Sequence, residues 1–161
     1  MPSRRRASEP AAPRLRLSIQ LGDRVEAAPV ARAQLRRWVA AAIERDCAFT
    51  LRLVDAREGR ALNRAYRGRD YATNVLTFEY GEDGGDGVTR ADIVICLPVA
   101  AREARAQRKA PRDHLAHLVV HGALHAQGWD HERGEQEAAG MEARERAILA
   151  RFRIADPYAE T

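Results

Sequence analysis

Residues 49–66 read FTLRLVDAREGRALNRAY, and the hydrophobic period changes within this stretch. Phe49, Leu51 and Leu53 alternate with polar residues, which is typical of a strand with one buried face. From Ala56 to Tyr66 the spacing of the apolar residues becomes helical. A strand followed directly by a helix is the pattern of domains that mix the two kinds of element.

The same two periods recur on both sides of this stretch. Upstream, the pattern predicts a strand at Leu15–Leu21 and an amphipathic helix at Val30–Glu44. Downstream, we expect strands at Val75–Phe78 and Ala91–Leu97 and helices at Val99–Gln107, Arg112–Gln127 and Glu135–Phe152. The acidic, glycine-rich stretch Gly81–Gly87 is predicted to be an exposed connection. We therefore predict an α/β (α+β) fold, with a small mixed sheet of about four strands that is covered by helices.

The composition excludes disordered and membrane proteins. The chain has 161 residues, of which 45% are hydrophobic and 31% are charged. We expect a single domain at residues 14–158, preceded by a flexible N-terminus at residues 1–13. No apolar run is long enough to span a bilayer, and no apolar stretch follows the arginines near the start as in a secretory signal, so a cytoplasmic protein is expected.

Cysteine usage and net charge add little about function. Cys47 and Cys96 lie far apart and outside any CxxC spacing, so they are predicted to be small core residues. The formal charge of +4 is a modest excess and supports an acidic partner such as a nucleic acid only weakly.

The histidines carry the strongest chemical signal, because all five lie between His114 and His131. His121 and His125 are four residues apart on a predicted helix, so both imidazoles project from one face. Gly128 can end that helix in a left-handed conformation and let His131 return to the same point. Three imidazoles without a cysteine match a catalytic zinc site with an open fourth position. We predict one zinc ion per chain at this helix and turn, and hydrolysis as the reaction class.

Other interpretations of these residues stay open. A pair of histidines four apart is also found without a metal, and His114 and His117 are either donors that support the ligands or ordinary polar residues. A zinc peptidase of the HExxH type needs glutamate where this chain has Gly122, which argues against proteolysis. Asp130 and Glu132 could assist a water molecule, or they are surface or capping carboxylates.

Three segments carry a resemblance to a known family. Residues 121–131, HGALHAQGWDH, resemble the HGxLHLxGYDH signature of the YbeY-type endoribonucleases, the bacterial rRNA maturation factors. Residues 62–78, LNRAYRGRDYATNVLTF, resemble the LNxxYRGKDxxTNVLSF block, and residues 92–95 resemble the GDIVI strand. Met141 and Glu145 stand where the family usually has methionine and glutamate. Four residues depart from the family pattern, and none of them removes a presumed ligand. These departures are Thr77, Ala91, Ala126 and Trp129.

The resemblance implies a single-strand-specific, metal-dependent endoribonuclease that acts in 16S rRNA 3′-end maturation and late ribosome quality control. It implies zinc held by His121, His125 and His131, with Arg67 and His121 as the catalytic residues. The implied partners are single-stranded RNA and the ribosome or its small subunit, with no membrane and no DNA expected. Whether water or the RNA 2′-hydroxyl is the nucleophile stays open.

Two other functions remain possible at this point. One is a ribosome-assembly or RNA-binding factor in which zinc mainly holds the fold, and the other is a zinc hydrolase of another substrate, such as a small molecule or a peptide. Further basic residues could extend a phosphate-binding groove: Arg64, Arg69, Arg108, Lys109 and Arg112. Tyr66, Tyr71 and Trp129 could stack on bases of single-stranded RNA or could belong to the core.

Overall fold

The computed structural model describes residues 11–81, 85–130 and 134–159. Along the described residues there are four strands and five helices. In chain order they are β1 (Leu15–Leu21), α1 (Arg32–Ala42), β2 (Cys47–Val54), α2 (Ala56–Arg67), β3 (Val75–Gly81), β4 (Thr89–Cys96), α3 (Leu97–Ala106), α4 (Pro111–Ala126) and α5 (Glu135–Ala150).

The strands form one mixed sheet in the order β1-β2-β4-β3. β1, β2 and β4 are parallel, and β3 runs antiparallel to β4 at the edge. In this register Val75 of β3 lies opposite Ile95 of β4. The predicted α/β class and the mixed sheet of four strands are therefore confirmed.

Helices cover both faces of the sheet. α1, α4 and α5 bury their apolar residues in the larger core, which contains Trp38, Leu124 and Met141. The smaller core lies on the opposite face, where Leu62 of α2 packs against it and Leu76 belongs to it. Each core contains one cysteine, and both thiols are free and buried, which confirms their interpretation as small core residues. No helix among the described residues has the length and apolarity that a bilayer span requires.

Several predicted boundaries were wrong. β3 continues to Gly81, which pairs with Arg90, so the strand takes the first residue of the stretch expected to be a connection. Leu97 belongs to α3 rather than to β4, because Pro98 occupies the first turn of that helix, where its missing N–H costs nothing. Residues 82–84 of the predicted connection and residues 1–10 of the predicted flexible N-terminus lie outside the described part of the chain.

α4 lies unusually close to the sheet at Gly122. A Cβ atom at this position would lie 2.7 Å from Ile93 Cγ2 and 3.3 Å from Val75 Cγ2. The hydrogen side chain therefore allows α4 to approach β3 and β4 more closely than any larger residue would. Because Gly122 follows His121 directly, this contact also determines how closely the histidines of α4 face β3.

Candidate active site

α4 presents a row of four histidines, because they are spaced three or four residues apart along it. Neighbouring ring centroids are 6.1 Å apart for His114 and His117, 6.2 Å for His117 and His121, and 6.4 Å for His121 and His125. The first ring is buried, and the other three are partly exposed. The last three open into a common cleft of about 350 Å³.

Another part of the cleft wall comes from the end of α2, the segment that follows it and the start of β3. Arg67 and Arg69 line it together with Thr73, Asn74, Val75 and Thr77. Arg67 is the last residue of α2, and Gly68 follows it in a left-handed conformation with φ of 66°, its N–H donating to the Arg64 carbonyl. This glycine cap reverses the chain immediately after Arg67. The structure thus brings Arg67, His121 and His125 to one cleft.

The turn after α4 orients the ring of His125. Gly128 adopts a φ of 99°, as predicted for the end of this helix, and the Trp129 N–H then donates to the Leu124 carbonyl. This places the Trp129 carbonyl 2.9 Å from His125 Nδ1. Since a carbonyl only accepts, Nδ1 of the neutral ring carries the proton and Nε2 carries the lone pair. The Trp129 side chain packs against the larger core, in agreement with the core interpretation of this residue.

A buried carboxylate orients the ring of His121. Glu145 of α5 has no exposed surface, and its Oε1 lies 2.5 Å from His121 Nδ1. Burial raises the pKa of Glu145, but hydrogen bonds from His117 and His121 outweigh this effect and bring the pKa to about 2. The ionised carboxylate accepts a hydrogen bond from the Nδ1–H group, so the lone pair of the neutral His121 ring is also on Nε2.

Two further groups bind the same carboxylate. His117 Nε2 lies 3.3 Å from Glu145 Oε2, and the Tyr158 hydroxyl donates to that oxygen. Burial, together with the hydrogen bond to Glu145, raises the pKa of Tyr158 well above its usual value, so the hydroxyl keeps its proton at neutral pH. Tyr158 also lines the cleft, where its ring meets that of His117 edge to face.

This donor set is compatible with a metal ion. His121 and His125 direct Nε2 lone pairs from one face of α4, and neutral imidazole is a ligand for zinc and other transition metals. His117, His121 and Glu145 also offer ligand atoms within 4.8 Å of one another, so this group could hold a metal ion as well. His121 belongs to both arrangements. His131, the predicted third ligand, and Glu132 lie outside the described residues.

Comparison with known proteins gives the family. Residues 20–153 match the protein-family model described as Endoribonuclease YbeY. The chain belongs to the Endoribonuclease YbeY family. Relatives that carry this name include proteins from three bacteria. The Burkholderia pseudomallei protein is 55% identical over 150 residues, which are 91% of this chain and 81% of the relative.

The other two YbeY relatives match as broadly. The protein from Thiobacillus denitrificans is 54% identical over 147 residues, 91% of this chain and 98% of the relative. The protein from Bordetella pertussis is 56% identical over 154 residues, 89% of this chain and 96% of the relative. The solution structure of a Thermotoga maritima protein is similar in fold, with a TM-score of 0.54 at 23% identity, covering 89% of this chain and 99% of that one.

Some of the basic residues that were predicted to extend a phosphate-binding groove lie outside the cleft. Lys109 donates to the Pro157 carbonyl at 2.6 Å, and Arg112 donates to Gln34 at 3.0 Å. Arg64 and Arg108 do not contribute to the lining either, whereas Arg69 does. Arg64 and Arg112 lie on sides of α2 and α4 that do not line the cleft, and Arg108 and Lys109 lie in the connection between α3 and α4.

Sequence reasoning missed most of the support around the YbeY histidines. Tyr158 gave no signal, because it lies in the C-terminal segment beyond the last helix. Glu145 was noticed only through the family resemblance, and its contacts with α4 depend on how two helices pack. His114 pairs with Glu103 at 3.0 Å rather than with the cleft, and Glu103 in turn accepts from Asn74.

Proposed function

We propose that this YbeY family member is a zinc-dependent endoribonuclease that cleaves single-stranded RNA in the maturation of the 16S rRNA 3′ end and in ribosome quality control. The observation that carries the proposal is the shared cleft, which Arg67, His121 and His125 all line. Family membership supports RNA as the substrate. The small ribosomal subunit is the expected partner and the cytoplasm the expected compartment.

His121, His125 and His131 would hold the zinc ion, with Nε2 as the ligand atom of the first two. When bound, zinc supplies a Lewis acid for a phosphoryl oxygen and lowers the pKa of water to about 7. The Nδ1 contacts of His121 and His125 orient both rings before any ion binds. This preorganisation supports a site for chemistry rather than a chance cluster of histidines.

Arg67 would position the RNA. Its guanidinium is exposed at the C-terminal end of α2 and makes no hydrogen bond or ion pair with the residues that the structure describes. A planar guanidinium can bind two phosphate oxygens at once and stabilise the charge that develops during cleavage. Arg69, on the other side of Gly68, adds positive charge to the same wall.

Exposed tyrosines next to this wall are suited to bases of single-stranded RNA. Tyr66 and Tyr71 are 68% and 51% exposed, so neither belongs to the core. Arg69 Nη1 donates to the Tyr71 hydroxyl at 3.2 Å, so the Tyr71 side chain contacts a residue that lines the cleft. Aromatic rings that stack on unpaired bases favour single strands over duplexes, because the bases of a duplex already stack on one another.

The test is cleavage of a labelled single-stranded RNA by the metal-stripped protein, the zinc-restored protein and a His125→Ala variant, with bound metal measured in each. We expect activity only in the zinc-restored wild type, and little cleavage of the same sequence as a duplex. His114→Gln is the matched control, because His114 lies on the same helix outside the cleft.

Equal cleavage by all three samples would contradict the proposal, as would a zinc-loaded wild type that cleaves nothing. The second result would favour an assembly factor with a structural zinc. The product ends identify the nucleophile: a cyclic or 3′-phosphate indicates the RNA 2′-hydroxyl, and a 3′-hydroxyl excludes it.

A further inference from the structure

Glu145 is an unusual residue for its place in the fold. It lies in the middle of α5, fully buried, between Met141 and Ile148 of the larger core. An ionised carboxylate in such a place loses its hydration, and only several good hydrogen bonds can compensate for that loss. A leucine here would fill the space at lower cost in free energy. The carboxylate therefore points to a role other than stability.

All the polar contacts of Glu145 lead to the cleft. Oε1 accepts from His121 Nδ1 at 2.5 Å, and Oε2 accepts from the Tyr158 hydroxyl and faces His117 Nε2 at 3.3 Å. His117, His121 and Tyr158 all line the cleft. Tyr158 and His117 thus hold the carboxylate in one orientation through Oε2, while Oε1 accepts the hydrogen bond from His121.

We propose that Glu145 is a positioning residue that holds His121 in the Nδ1-protonated tautomer, with Tyr158 and His117 fixing the carboxylate, and so sets the affinity of the cleft for its metal ion. The inference rests on the proposed function, because it takes His121 Nε2 as a ligand atom. A carboxylate on the far nitrogen orients the ring and makes the ligand nitrogen more basic.

The competing arrangement makes Glu145 itself a ligand, together with His117 and His121. In the structure, however, each carboxylate oxygen already accepts a hydrogen bond from a protein group. A metal ion on Glu145 would have to displace one of these hydrogen bonds, and His121 Nδ1 already occupies the side of the ring that faces the carboxylate. The geometry therefore favours support of His121 over direct coordination.

The first experiment measures the zinc dissociation constant of Glu145→Gln by competition with a chromophoric chelator. We expect the constant to rise about 10- to 100-fold, as for other groups that support a ligand. Glu103→Gln is the matched control: it makes the same change in a carboxylate that contacts His114 of the same helix at 3.0 Å. Its zinc affinity should stay at the wild-type value.

Two further measurements do not depend on the buried substitution. Tyr158→Phe removes one donor to the carboxylate at a partly exposed position and should weaken zinc binding several-fold, less than Glu145→Gln. Nitrogen-15 spectra of the metal-free protein should show His121 protonated on Nδ1 in the wild type. In Glu145→Gln the same ring should shift toward the Nε2-protonated form, which a purely structural role of Glu145 would not cause.

The outcomes separate the two proposals. A folded Glu145→Gln variant with wild-type zinc affinity overturns the inference, as does an equal loss in Glu103→Gln. If the spectra of the cobalt-substituted proteins show that Glu145→Gln loses a carboxylate ligand that the wild type has, Glu145 coordinates the metal directly. That result also overturns the inference. If Glu145→Gln does not fold, either of two other results overturns the inference. One is a wild-type His121 that is protonated on Nε2, and the other is an unchanged zinc affinity of Tyr158→Phe. A wild-type chain that binds no zinc contradicts the proposed function instead.

Discussion

Arg67 and the histidines of α4 are prepared in different ways for their proposed roles. His121 and His125 are each fixed by a hydrogen bond at Nδ1, one to a carboxylate and one to a carbonyl. Arg67, in contrast, is exposed on the last turn of α2, where a cation also interacts favourably with the helix dipole. The rings are therefore held in fixed orientations, whereas the exposed guanidinium keeps the conformational freedom that its proposed contact with a flexible RNA backbone would require.

Replacing Arg67 should separate activity from stability. We expect Arg67→Ala to lower kcat/KM for single-stranded RNA about 10- to 100-fold, since a hydrogen bond to a charged group is worth about 1.5–3 kcal/mol. Arg67→Lys should restore only part of the loss, because an ammonium group lacks the planar fork. Steady-state cleavage assays measure both.

The control for this prediction is Arg57→Ala, an exposed arginine in the first turn of the same helix that lies away from the cleft. Its activity should stay close to the wild-type value, and the melting temperature of all three variants should change little. Equal activity of Arg67→Ala and wild type would remove Arg67 from the proposed mechanism.

α4 determines the shape of the cleft through its contact with the sheet. The helix begins with Pro111 in its first turn and ends before Gly128, and Gly122 lies between them where the backbone approaches Ile93. This contact matters for the site, because a displacement of α4 at Gly122 would move His121 and His125 together. The glycine that argued against a peptidase motif thus has a packing role of its own.

Gly122→Ala should destabilise the protein although alanine favours helices. The new Cβ would meet Ile93 Cγ2 at 2.7 Å, and forcing an extra carbon into a packed core costs about 1–3 kcal/mol. The higher helix propensity of alanine offsets about 1 kcal/mol of this cost. Urea denaturation of the metal-free protein measures the net loss.

Gly140→Ala is the matched control in α5. Its Cβ would lie 3.5 Å from the Trp129 ring, an ordinary contact, so the substitution should be neutral or stabilising. If Gly122→Ala were as stable as Gly140→Ala, the close approach of α4 to the sheet would not restrict the size of the residue at position 122.

The complete cleft exists only in the folded molecule. It is lined by the end of α2, the edge strand β3, the helix α4 and Tyr158 near the C-terminus, and α5 supplies Glu145 behind it. Because an unfolded chain does not hold these groups together, the proposed metal ion would bind the native state preferentially. Metal binding should therefore add to the stability of the protein without being required for the fold.

Removal of the metal should lower the melting temperature of the wild type while the metal-free protein still unfolds cooperatively. Zinc at about 100 times its dissociation constant should add about 2.7 kcal/mol to the free energy of unfolding. In His125→Ala this increment should largely disappear. Differential scanning calorimetry with and without a chelator measures it, and complete unfolding of the chelated wild type would indicate a structural zinc.

The sequence alone was sufficient for the local elements and for the placement of His114, His117, His121 and His125 along one helix. Alternation at Leu15–Leu21 and helical spacing at the histidines are local properties, because a side chain's direction repeats every two residues in a strand and about every 3.6 in a helix. Gly128 could likewise be predicted as a left-handed terminus. The exact ends of the helices and strands could not be read from the pattern, as Leu97 and Gly81 show, because neighbouring elements compete for such residues.

The tertiary structure decided which elements are neighbours. Periodicity gives the buried face of a strand but not its partners, so the order β1-β2-β4-β3 and the position of β3 beside α4 could not be read from the pattern. The contacts of Glu145 with His121 and Tyr158 depend on that order and on helix packing. Such contacts join residues distant in sequence, and only the packing of the whole core brings them within hydrogen-bond distance.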